Sequence, residues 1–137
     1  MKKKNMIKSE ELMIKIKTTQ GELYVKKYDD HNKNTLKSIL DNLPIEGTVN
    51  TWGDEIYFET ELEIDEEKTQ REVEIGELAF WPPGKAICIF FGKTPISESN
   101  KPKAASPVNV FGKIIGSEIN ILAKLKNGER ISLEIAK

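Results

Sequence analysis

The chain has one cysteine, one histidine and only two arginines among its 137 residues, and each shortage removes a class of chemistry. With Cys88 alone there is no internal disulfide, as expected of a reducing compartment. A nucleophilic triad based on histidine would have to use His31, which sits in the polar cluster Asp29–Asn34 with no supporting motif around it. A zinc site needs several His or Cys ligands, and one of each is too few. The nine glycines are scattered, with no phosphate-binding loop or dinucleotide fingerprint. Asp65-Glu66-Glu67 lacks the ligand spacing of a calcium loop. No apolar run approaches the length of a membrane span. The basic start at Met1-Lys2-Lys3-Lys4 has no apolar stretch behind it, so a signal peptide is not expected. Lys+Arg, at 21, nearly cancels Asp+Glu, at 22, so overall charge points to neither nucleic acid nor membrane. Lys93, Lys101 and Lys103 lack interleaved aromatics, which adds little for a nucleic-acid surface. The expectation is a cytoplasmic protein without a metal, with neither nucleic acid nor membrane as a partner.

Charge is present in quantity but unevenly placed. Asp54 to Glu77 holds eleven acidic residues against Lys68 and Arg71, whereas Lys85 to the end holds nine basic against four acidic. Solvated outer faces of strands account for this, and a basic partner for the acidic stretch is the sharper alternative. Length allows one domain with a substantial core. We expect residues 1–11 to be a flexible N-terminal extension and 12–137 to be one domain.

Strand periodicity dominates. Leu12, Ile14 and Ile16 alternate with Met13, Lys15 and Lys17, Gly21 supplies a turn, and Leu23 and Val25 continue a second strand. Leu36, Ile39, Leu40 and Leu43 recur at helical spacing, predicting one amphipathic helix over about 34–43 with Asn34 among its possible caps and Pro44 ending it. Ile56, Phe58, Thr60, Leu62 and Ile64 alternate with Tyr57, Glu59, Glu61, Glu63 and Asp65, predicting a long strand with one face in water. Ala86 to Phe91 is almost continuously apolar, so both faces should be covered. Gly92 to Pro107 is long for a loop, and its three prolines favour order. Val108 to Ile115 reads as a strand, Ile119 to Leu125 as a short helix or a strand, and Ile131 to Ile135 as the last strand. About eight strands result, a number that closes a barrel filled by its own side chains.

Among the aromatics near turns, Trp52, Trp81, Phe90, Phe91 and Phe111, core packing explains most. Trp52 stands between Thr51 and Gly53 in a polar stretch, where a large ring is a lid or a ligand platform. Cys88 alternates into a dense apolar run and reads as a buried structural thiol. Asp54 and Glu55 read as exposed, solvated turn carboxylates, with a catalytic role for the pair in an altered isomerase as the alternative.

Two stretches also look familiar. Val110-Phe111-Gly112-Lys113-Ile114-Ile115-Gly116 resembles a late strand of the cyclophilin peptidyl-prolyl isomerases, and Phe90-Phe91 resembles their paired phenylalanines. The run Gly76 to Gly92, with its Trp81-Pro82-Pro83-Gly84 turn and the continuations Thr94 to Ser97 and Ser106 to Val110, is similar to a family of small prokaryotic cyclophilin-like proteins of unassigned function. The resemblance runs from about Met13 onward. It implies a mainly β, closed eight-stranded barrel without an obligate cofactor.

Prolyl isomerisation carries over poorly. Cyclophilins use an early-strand arginine to stabilise the twisted X-Pro bond, and Thr48 to Phe58 contains none. The family's glutamine falls at Ile89 and its histidine at Val108; only Phe91 keeps a pocket-lining identity. The reading is therefore a binding module for a small molecule or peptide, without efficient isomerase activity. Trp52 would be the platform, Phe91 the floor, and Ser106 and Asn109 the orienting polar groups. The alternatives are an altered prolyl isomerase and an interaction module using the acidic face of Glu59, Glu61 and Glu63.

Overall fold

The structure, a computed structural model, describes residues 13–136, so the expected extension at 1–11 and Leu12 lie outside the described residues. Ten strands follow one another with one α-helix between the second and third. They are β1 (Met13–Thr18), β2 (Gly21–Lys27), β3 (Ile45–Thr48), β4 (Asn50–Thr51), β5 (Glu55–Glu59), β6 (Gln70–Glu72), β7 (Glu77–Trp81), β8 (Ala86–Phe90), β9 (Lys103–Ile115) and β10 (Arg130–Ala136). The helix α1 spans Lys33–Asp41, and the 119–125 segment is a 3-10 turn, Ile119–Lys124.

The strands form an antiparallel sheet in the order β3-β10-β1-β2-β9-β7-β8-β5-β4, with β6 added to β9. This corrects the expectation of a closed eight-stranded barrel: the sheet is open, and no ladder joins its end strands β3 and β4 among the described residues. Other partners occupy the backbone there. Val49 N–H donates to Glu129 O, Gly128 N–H to Val49 O, and Thr51 N–H to the Asn127 side chain. The Asn127-Gly128 turn thus takes the positions that a closing strand would need.

A second correction concerns the acidic segment. The strand expected to run from Ile56 to Ile64 stops at Glu59, the residue paired with Ala86 at the start of β8. Beyond that point the partner chain has turned away. Thr60 closes the ladder, its N–H and Oγ1 both donating to Lys85 O at 2.8 Å. Leu62 and Ile64 still pack against the main core, without strand pairing.

The loop expected over Gly92–Pro107 is shorter than its prolines imply, because β9 already begins at Lys103. Gln70 pairs with Val108 and Glu72 with Lys103, so extra residues of β9 bulge out between the two pairs. Pro107 falls within this bulge, where its missing N–H costs no ladder bond. Among the described residues Leu43–Pro44 is the cis peptide, which leaves Pro82 and Pro83 trans.

Burial is two-sided at the centre. One face of the sheet carries Ile14, Ile16, Phe58, Phe80, Ile87, Ile89, Phe111 and Leu133, covered by Leu36 and Ile39 of α1 and by Leu122. A second, smaller cluster of Val73, Ala79, Cys88, Phe90, Ala104, Val108 and Val110 lies on the other face of β7, β8 and β9. All five residues of β8 are buried, in line with its apolar run.

The start of α1 is held by a distant side chain. Asn32, the cap residue, makes no side-chain cap; the Glu67 carboxylate accepts from Asn34 N–H, Thr35 N–H and Thr35 Oγ1 at 3.1, 2.8 and 2.5 Å. Burial raises the Glu67 pKa, but these hydrogen bonds outweigh it and hold the carboxyl below its ordinary value. Its contribution to stability is therefore complete above the ordinary glutamate pKa and is lost as pH falls through the lower folded value. Glu67→Ala should cost about 1 kcal/mol in urea denaturation at pH 7. The difference from the unmodified protein should shrink on acidification; a decrement equal at neutral and acid pH would contradict this role.

Candidate functional site

A cleft of about 220 Å³ opens beside the second cluster, lined by Trp52, Glu55, Tyr57, Trp81, Cys88, Ala104, Ala105 and Val108. Its walls follow from strand register. Tyr57 pairs with Cys88, Cys88 with Ala79, and Glu55 with Phe90, so alternate residues of β5, β8 and β7 share the face away from the main core.

Trp52 and Glu55 face each other across a hairpin turn, exchanging backbone hydrogen bonds at 2.9 and 3.2 Å. Gly53 supplies the positive φ of 61° at the first position of the two-residue turn. The turn is clamped to the next segment, with Asp54 N–H donating to Lys93 O and Phe91 N–H to Asp54 O, both at 2.9 Å. A Cβ at Gly53 would meet Pro95 Cδ at 2.8 Å, so the backbone approach itself requires glycine. Trp81 is fixed at both ends. Its Nε1–H donates to Ser106 Oγ at 2.6 Å, and its six-membered ring lies against Gly84 of the Pro-Pro-Gly turn.

Glu55 is the unusual residue. It is 5% exposed, in no ion pair, and accepts no hydrogen bond from an N–H or hydroxyl among the described residues. Burial pushes its pKa from the ordinary 4.5 up to about 7, which contact with the Cys88 thiol only partly offsets. Burial also pushes the Cys88 thiol well above its ordinary range, with the nearby carboxylate adding to the effect. The thiol is therefore a poor nucleophile. A carboxyl that changes charge near neutral pH can exchange protons or pair with a cation, and it is unstable as a lone buried anion.

The residues singled out in the sequence separate in space. Trp52 lines the cleft, and Ser106 reaches it by holding Trp81. Phe91 is half-buried and packs against the main core, on the face opposite Phe90. Asn109 is fully buried and committed: its Nδ2 donates to Thr35 Oγ1 and Asp65 O, and its Oδ1 accepts from Glu67 N–H, each at 2.9 Å. It ties α1 and the 65–67 segment to β9. Glu55, Tyr57, Trp81 and Cys88 join the site without standing out in the sequence as binding residues. Glu55 alternates with Ile56, a pattern that suggests a water-facing side chain. The signal that could have found it is the wholly apolar β8: once β5 pairs with that strand, Glu55 must lie on a covered face.

Among the described residues, no group of three or more His, Cys, Asp or Glu side chains is placed to hold a metal ion, and no helix is long and apolar enough to cross a membrane.

Fold and cleft define a mainly β protein with an acidic, aromatic-walled pocket on the outer face of its sheet. The chain belongs to the cyclophilin-like family, whose model matches residues 11–134. The resemblance read from Gly76–Gly116 is borne out at this level. The solution structure of a hypothetical protein from Archaeoglobus fulgidus is 41% identical, with a TM-score of 0.77 over 94% of this chain and 98% of that one. McbB, solved in complex with tryptophan, shares the fold at 11% identity and a TM-score of 0.68; the match covers 88% of this chain but 44% of McbB. No curated protein matches the chain.

Glu55 makes stability depend on pH in a direction opposite to Glu67. Its folded pKa is raised, so its contribution is complete below pH 4.5 and is lost as pH rises through about 7. A rise of this size corresponds to roughly 3 kcal/mol. Glu55→Gln should therefore stabilise the protein by up to about 3 kcal/mol at pH 8 and change little at pH 4. Denaturation at both values checks this, and a destabilised variant at pH 8 would mean that the carboxylate has a partner.

Proposed function

We propose that this chain is a binding protein for a compact small molecule, taken up in the cleft between the Trp52 turn and β9. The observation that carries the reading is the Glu55 carboxyl, 5% exposed and partnered only by the Cys88 thiol, at an apolar, aromatic-lined cavity, since such a group is costly unless a ligand uses it. Trp52 and Trp81 act as the walls, Ser106 orients Trp81, and Glu55 recognises the ligand's polar group. Asn109 and Phe91 serve the site indirectly, by fixing β9 and the end of β8. The volume, below the roughly 300–1,000 Å³ of sites for drug-sized molecules, favours a small ligand over a peptide.

Efficient prolyl isomerisation is not part of this reading. Of the two arginines, Arg130 pairs with Glu46 at 3.0 Å, and Arg71 donates from Nε and Nη2 to the carbonyls of Ala104 and Ala105. Neither occupies the position of an early-strand arginine facing a substrate amide.

A screen of small fragments followed by amide and indole NMR shifts tests the proposal. Saturable shifts at Trp52, Tyr57 and Trp81 are expected, weakened about tenfold or more by Trp52→Ala, with no acceleration of cis/trans exchange in X-Pro peptides. Accelerated exchange, or a library that shifts none of these residues, would refute it.

A further inference from the structure

The cleft's chemistry narrows the ligand, granted the small-molecule reading above. We propose that the site recognises an N-alkylated or quaternary ammonium group, held among the rings of Trp52, Tyr57 and Trp81 with the Glu55 carboxylate as its counter-charge.

Three observations converge. Three of the eight lining residues are the electron-rich aromatics Trp, Trp and Tyr, whose ring faces attract cations once water is excluded. The ionisable residues lining the cleft are Glu55, Tyr57 and Cys88, with no Lys, Arg or His among them. An anionic ligand would meet a carboxylate with no cation to offset it, whereas a cation supplies the counter-charge that Glu55 lacks among the described residues. Arg71, whose guanidinium reaches the backbone of two lining residues, is exposed and engaged with the Ala104 and Ala105 carbonyls of β9.

Alkylation follows from the apolar character of the walls. A primary ammonium brings three strongly hydrated N–H donors. Beyond the Glu55 carboxylate and the Tyr57 hydroxyl the lining is mostly apolar, formed by the Trp52 and Trp81 rings, Cys88, Ala104, Ala105 and Val108. An ammonium whose hydrogens are replaced by methyl groups leaves no donor unsatisfied, and its methyl groups contact apolar walls.

The same arrangement sets a pH dependence. A cation binds the ionised form of Glu55, so affinity should fall as pH drops and the proton competes. Tyr57 and Cys88 are the other titratable groups facing it, and burial keeps the Cys88 thiol protonated.

The test compares three probes by tryptophan fluorescence and NMR on the intact chain: choline, its uncharged carbon isostere 3,3-dimethylbutan-1-ol, and ethanolamine. Choline should bind saturably at pH 8, about tenfold or more tighter than either of the others. Its affinity should fall by about tenfold in total as pH drops through the Glu55 pKa, then level off. Glu55→Gln should weaken choline about tenfold and remove the pH dependence, while Trp52→Leu, which keeps apolar bulk without a ring, should weaken it similarly. If the isostere binds as tightly as choline, the cation proposal is overturned while the small-molecule reading stands. Ethanolamine binding more tightly than choline would overturn the alkylated class. Failure of choline alongside a neutral fragment that occupies the cleft overturns this proposal alone; failure of every probe and fragment overturns both.

Discussion

Strand β8 must be covered on both faces. Ala86, Ile87, Cys88, Ile89 and Phe90 present no polar side chain to either side, so a sheet with one solvated face cannot accommodate them. The chain meets this demand with two unequal layers. α1 and the 3-10 turn at 119–124 cover the large core. The bulged first half of β9, with β6 and Val73, covers the small one. Cyclophilin-like topology is here a solution for burying a central apolar strand twice.

The second layer is incomplete, and the site lies where it gives out. Over Val73 and Phe90 the small cluster is buried, but beside Ala104, Ala105 and Val108 the cover gives way to the cleft. Trp52, Tyr57 and Trp81 stand half-buried at that margin around Glu55. Rigid supports hold the residues in place: a clamped two-residue turn under Trp52 and Glu55, and the hydroxyl of Ser106 on the Trp81 indole. A protein with no use for a buried carboxyl partnered only by a thiol would be more stable with a neutral side chain at this position, the usual sign of stability yielding to function.

The first hairpin, the helix and the covered central strand are legible in the sequence because each rests on local side-chain periodicity. The double burial of β8 is written in its unbroken apolar run. What escapes the sequence depends on chain pairing over long separations. The alternation through Thr60, Leu62 and Ile64 is a strand pattern without a partner, because β8, the neighbour of β5, begins only at Ala86, where the chain emerges from the Pro82–Gly84 turn. Strand number alone suggests ring closure, but the Asn127-Gly128 turn occupies the edge that would close. For the site, Trp52 stands out because its neighbours in the chain are polar. Asn109 looks equally available and is instead consumed by Thr35, Asp65 and Glu67, which are 74, 44 and 42 residues away in the chain. Glu55 is hidden for the converse reason: its polar neighbours in sequence are not its neighbours in space.

One titration decides whether the cleft strips Glu55 of water. Carbon-detected NMR of its carboxyl, followed from pH 3 to pH 9 in the free protein, measures this directly. A midpoint near 7 is expected. A midpoint near the ordinary 4.5 would mean a solvated surface carboxylate, and the case for a binding site built around it would fall.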